Sequence, residues 1–196
     1  MGRDDIFGRA RPGWRRLSWW PWLLAPAGVG LLLAANAAGV DAGRFQGFVE
    51  PFAPLLIAGA VIVYAIKAAY TRNPLLLILT ALSLSLFCRE CQEYRLFAWA
   101  HRGIYVMLAG VAIWALAWRR RIRRPLRDVR HSSWLLATMW TYLVAFLLYK
   151  RVFRFIPGEE AVHNFLEEGI ETVAHLMLVA TSLLASLRRY RRGRRR

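Results

Sequence analysis

The sequence predicts an all-α integral membrane protein, a polytopic bundle of six transmembrane helices with both termini in the cytoplasm. Three observations predict it. Of 196 residues 57% are hydrophobic, yet the formal net charge is +16. The apolar residues stand in six blocks (residues 19–39, 52–66, 74–88, 103–118, 132–149 and 172–187), with arginines clustered between them. The basic residues also divide unevenly between alternate inter-block segments. Lipid offers the backbone no hydrogen-bond partner, so a spanning segment is a helix or a strand of a closed barrel. Solid apolar runs, rather than alternation, select the helix.

A hydrocarbon core of about 30 Å takes about 20 residues at 1.5 Å rise. The first block is long enough alone and the fifth nearly so; the others need polar neighbours to reach that length. Alternate segments give the orientation. Residues 1–17, Lys67 with Arg72, residues 119–130 and the residues after Leu187 together hold 21 of the 28 Lys and Arg. Positive-inside retention places those segments in the cytoplasm. The expected organisation is a basic cytoplasmic segment (1–17), a transmembrane domain (18–187) and a basic cytoplasmic tail (188–196), in the inner membrane of a bacterium. Trp19, Trp20, Trp22, Trp118 and Trp134 then fall at the inner interface and Trp99 at the outer one, as an aromatic belt does.

The first block resembles a secretory signal, with Arg15 and Arg16 ahead of it and Ala35-Asn36-Ala37 at its end. Its full span length, and Pro21 and Pro26 within it, predict an uncleaved first span instead. The arginine tracts resemble nucleic-acid-binding segments, but beside membrane spans they set topology and touch anionic lipid at the cytoplasmic face. Membrane lipid, rather than nucleic acid, is the expected partner.

The short blocks locate the chemistry. Residues 74–88 give about 22 Å of helix, so the third span continues through Arg89, Glu90 and Glu93. The sixth starts near His163 or Phe165 and carries Glu167, Glu168 and Glu171 inward, and the second absorbs Glu50. An unpaired charge at bilayer depth costs about 2.5–3.5 kcal/mol on insertion scales, so these groups pair, line a wet cleft or do chemistry. At about 100° per residue, Glu167, Glu171, His175 and Glu168 fall near 0°, 40°, 80° and 100° around the sixth span. Arg89, Glu93 and Glu90 fall near 0°, 40° and 100° around the third by the same rule. Neither stripe tolerates lipid, so the two face each other across an outward-opening cleft. His175 lies about 12 Å below Glu167 and forms the floor. A small helix rotation exchanges Glu167 and Glu168 at the cleft wall.

Several chemistries fit. Arg89, Arg95, Arg151 and Arg154 neutralise Glu90, Glu93, Glu167 and Glu171 in a network that fixes helix register. Alternatively Glu90, Glu93, Glu168, Glu171 and His175 ligate a hard or borderline divalent metal, or the cleft takes a polar lipid group, a proton or a small ion. A metal-assisted hydrolase or transferase acting on lipid is the enzyme reading; a non-catalytic subunit whose charges pair internally or with a membrane partner is the competing one. Cys88 and Cys91 form C-x-x-C, a redox spacing, without the second cysteine pair that quinone-linked thiol oxidoreductases carry.

Phe87-Cys88-Arg89-Glu90 with Tyr94-Arg95, and Phe165-Leu166-Glu167-Glu168 with Glu171, resemble motifs in a group of uncharacterised bacterial polytopic inner-membrane proteins. Those carry an Arg-Glu pair ending a middle span and a Glu-Glu-x-x-Glu stripe opening the last. The likeness covers about a third of the chain, departs at Cys88 and Cys91, and implies location without activity.

Overall fold

The computed structural model describes residues 19–93, 100–122, 129–150 and 159–185, and every regular element among them is helical. The basic segments 1–17 and 188–196, and with them Arg15 and Arg16, lie outside the described residues, as do Tyr94, Arg95, Trp99, Arg151 and Arg154.

The first block opens as a 3-10 turn, Trp20–Leu23, and continues as α1, Leu24–Ala37. Pro21 and Pro26 sit in first turns, where a missing N–H breaks no hydrogen bond, so the block runs on unbroken. The chain leaves α1 through Gly39, whose φ of 81° is left-handed, and forms a short helix that the hydropathy blocks did not predict. This helix, α2 (Ala42–Val49), starts where the Asp41 carboxylate accepts the Arg44 N–H at 2.7 Å.

Pro51 precedes α3, Phe52–Thr71. Glu50 thus lies in the preceding turn and not in the second span, a correction to the sequence reading. The extra length comes from the other end, through Lys67, which belongs to the helix rather than to a loop. One face of α3 (Ile57, Ala60, Tyr64, Ala68) is buried and the opposite one (Leu55, Ile62, Ile66, Tyr70) is bare. A helix apolar on both faces with only one packed suits a lipid-facing position.

Two residues turn the chain into α4, Pro74–Glu93: Arg72 adopts the left-handed conformation, and the Asn73 side chain accepts the Leu75 N–H at 3.0 Å. Then come α5 (Ala100–Ala117), the single turn α6 (Arg119–Ile122), α7 (Val129–Tyr149) and α8 (Glu159–Leu184). The last helix starts at Glu159, ahead of the His163 or Phe165 expected from hydropathy. Among the described residues three helices are long and apolar enough to cross a membrane: Trp20–Ala37, Phe52–Thr71 and Pro74–Cys91. Shorter apolar stretches cover Leu108–Ala117 and Ser132–Leu148.

The centre of the bundle is α8, packed against α7, α1, α3 and α2, while α4 joins through α3 and α5 packs on α4. Hydroxyls link α7 to α8: Thr138 and Thr181 oxygens lie 2.9 Å apart, and the Thr141 hydroxyl reaches the Met177 sulfur at 3.3 Å. This order also makes α7 and α8 antiparallel. At one end Trp20 meets Trp134 edge-on at 4.7 Å. Trp134 is buried there, so it is a packing residue and not part of a lipid-facing belt.

Small residues let α1 approach α8. Gly28 faces Val173, and the Leu32 side chain fills the space that a β-carbon on Gly169 would take. Gly169→Val is expected to push Leu32 aside and destabilise the protein by about 1–3 kcal/mol, the usual range for overpacking. Thermal unfolding in detergent checks it, and an unchanged midpoint would mean that this contact does not hold α1.

Candidate functional site

The third and sixth spans of the sequence reading are α4 and α8, and their polar stripes do meet. From α8, Glu171 and His175 lie one helical turn apart; from α4, Arg89 and Glu90 reach across. Glu90, Glu171 and His175 each offer one ligand atom, and these atoms lie within 4.8 Å of one another. His175 is 1% exposed and Glu90 8%. An Arg89 Nη donates to a Glu171 carboxylate oxygen at 2.8 Å, and its Nε stands 3.8 Å from Glu90. The Arg89 side chain remains 44% exposed, so it forms the outer edge of the cluster.

The stripe of α8 is longer than the site. Glu167 and Glu168 lie about 12 and 10 Å along the axis from His175, too far to share a centre with it. Glu167 instead faces the His163 ring, with 3.2 Å between carboxylate oxygen and Nε2. Glu168 is half-buried outside the cluster, and its backbone carbonyl accepts the Thr172 hydroxyl at 2.8 Å. The proposed ligand set therefore loses Glu168, and Glu167 is a local partner of His163. The side chain of Glu93 lies outside the described residues. Cys88 and Cys91 are free, half-buried thiols one turn apart beside Glu90.

Two phenols missed in the sequence complete the surroundings. Tyr142 of α7 lies against His175 with ring centroids 5.7 Å apart. Its hydroxyl is within electrostatic reach of Glu171, Glu90, Arg89 and the Tyr64 phenol of α3. Tyr64 is 0% exposed. Neither phenol oxygen has a hydrogen-bond partner, and neither ring nitrogen of His175 has one. Buried polar groups are almost always paired, so these four atoms set the cluster apart from the rest of the apolar core. Only the incompatibility of a buried hydroxyl with hydrocarbon hinted at these tyrosines, and that hint is equally met by an ordinary core tyrosine.

The arrangement joins two carboxylates, a neutral-capable imidazole, a guanidinium and two phenols from four helices. Such a set can hold a cation between the carboxylates and the imidazole, or donate protons to an anionic oxygen from the guanidinium and phenols.

Fold and site together define a helical membrane protein with a charged cluster between its helices. No family model, curated protein or solved structure matches the chain.

Proposed function

We propose that the protein is a six-span component of the bacterial inner membrane whose Glu90, Glu171 and His175 bind a divalent metal ion. The observation that carries this reading is the convergence of those three side chains to within 4.8 Å, with both nitrogens of the buried His175 unpartnered. A metal takes one imidazole nitrogen, and the other is left to donate to an outer partner. Three protein ligands of the oxygen–oxygen–nitrogen kind suit Zn, Mn or Fe(II) and leave coordination positions for water or substrate. The chemistry such a centre offers is metal-assisted hydrolysis or group transfer on a polar lipid group near the outer leaflet.

Helix directions support the six-span topology with cytoplasmic termini. The end of α3 meets the end of α8 through Lys67, and the starts of the first helix and α7 meet through Trp20 and Trp134. The start of the first helix, the start of α7 and the end of α8 each adjoin a strongly basic segment, and the end of α3 carries Lys67 and Arg72, as one cytoplasmic face requires.

The second reading is a non-catalytic subunit whose charges only fix helix register, acting with a membrane partner; the Arg89–Glu171 pair favours it. Metal analysis of detergent-purified protein separates the two. Wild type is expected to retain about one equivalent of metal, and Glu171→Gln and His175→Ala to lose it, since each removes one of few ligands. If both variants stay folded and neither alters the metal content, the metal reading fails and the subunit reading stands.

A further inference from the structure

The metal reading leaves two buried phenols without a task, and their geometry beside the Arg89 guanidinium suggests one. Glu90 and Glu171 contribute two negative charges and Arg89 one positive. With His175 neutral, as a metal-bound imidazole is, the cluster sums to −1 before a dication binds and +1 afterwards. A centre of net positive charge in low dielectric calls for an anion. The hydroxyl of fully buried Tyr64 and that of Tyr142, both unpartnered, are the donors an anionic oxygen needs, and Arg89 at the exposed edge adds a fork of N–H groups.

We propose that Tyr64, Tyr142 and Arg89 form an oxyanion subsite beside the metal that takes a phosphoryl group, held between the metal and the two phenols. This rests on the metal reading and names the ligand class of the same site. A tetrahedral group presents oxygens in several directions, matching donors that arrive from α3, α4 and α7. The same chemistry is found in a lipid head group and in free phosphate. Arg89 lets go of Glu171 when the metal binds, because the dication then neutralises that carboxylate, and its fork turns to the phosphoryl oxygens.

Binding of two ligands at one centre is reciprocal, so the anion should tighten the metal. The test is a Mn²⁺ titration of the full chain in maltoside micelles, alone, with inorganic phosphate, and with short-chain phosphatidic acid. A phosphate probe is expected to raise Mn²⁺ affinity by about tenfold, within the usual range of such couplings. A shift with inorganic phosphate assigns a free ligand; a shift with phosphatidic acid alone assigns a lipid. In Tyr64→Phe/Tyr142→Phe the shift is expected to fall below about threefold, and in Tyr142→Phe alone to an intermediate value. Circular dichroism and the unfolding midpoint confirm that these ring-conserving variants are folded. Wild-type Mn²⁺ binding that neither probe tightens overturns the oxyanion subsite and leaves the metal reading intact. So does a full shift in the double variant, or in Tyr142→Phe if only that one folds. No Mn²⁺ binding by wild type in any arm removes the metal reading and this inference with it.

Discussion

Arg89→Met is expected to destabilise the metal-free protein by about 2–4 kcal/mol, and a divalent metal is expected to restore much of that loss. Removing one partner of a buried ion pair costs about 3–5 kcal/mol, because the remaining charge is left without compensation. Glu171 and Glu90 are the charges left behind, with side chains 15% and 10% exposed. The guanidinium itself is 44% exposed, and solvent screening at that end brings the figure down. A dication between the carboxylates takes over the role of the guanidinium and stabilises the folded state by about 2.7 kcal/mol at a hundredfold excess over Kd. Unfolding midpoints of wild type and variant, each with and without Mn²⁺ or Zn²⁺, test both halves. Rescue by metal identifies Arg89 as a placeholder for a cation. Destabilisation without rescue makes it a structural counter-charge, and no destabilisation at all removes the Arg89–Glu171 pair from the account of stability.

How much of this was legible depends on which residues carried it. Glu171 and His175 are separated by four, so the 3.6-residue period places them on one face in any helix, and no packing information is needed. Arg89 and Glu90 were legible because fifteen uncharged residues make too short a span, which forces the polar end of α4 to membrane depth. That two polar stripes meet follows from their shared intolerance of lipid. The extent of the site did not follow. The sequence places His175 about 12 Å below Glu167, but a shared angular stripe does not say how much of that depth one centre can use, so Glu168 was grouped with His175 although it lies about 10 Å above it. The i, i+4 partnership of His163 and Glu167 was open to the same projection, but the expected start of the span near His163 obscured it.

Other misses share a different cause. Tyr64 and Tyr142 sit at helix positions that any large core residue could fill, and only tertiary placement brings Tyr142 near Glu90 and Glu171 and Tyr64 near Tyr142. The short helix α2 has too few apolar residues to register as a block; it docks by setting Phe45 against Phe165 at 4.6 Å. Lys67 was counted with a basic loop because its charge dominates a composition reading. Its partners are backbone carbonyls more than a hundred residues away, which no local pattern reveals.

Those carbonyls make Lys67→Met the second large effect, an expected loss of about 2–4 kcal/mol. Lys67 Nζ donates to the carbonyls of Ser182, Leu183 and Ala185 at 2.9, 2.6 and 2.9 Å. The last four carbonyls of a helix lack internal partners, and the partial negative charge of that end favours a cation. Hydrogen bonds to a charged group contribute about 1.5–3 kcal/mol each. Three that share one ammonium, partly exposed, do not add in full. Methionine keeps the length and apolar stem of the side chain and removes only the donor, so the loss reports the cap rather than packing. Because Lys67 lies one turn from Tyr64 on α3, and α8 carries His175 and Glu171, the cap also sets how far these two helices slide past each other. Lys67→Met should therefore speed amide exchange in the last turn of α8 and weaken metal binding at a site it does not touch. Lys67→Arg, which retains a cation, should recover part of both. If Lys67→Met unfolds at the wild-type midpoint, with the last turn equally protected, the register of α3 on α8 is held by the apolar seam of Tyr64, Ala68 and Leu178 alone.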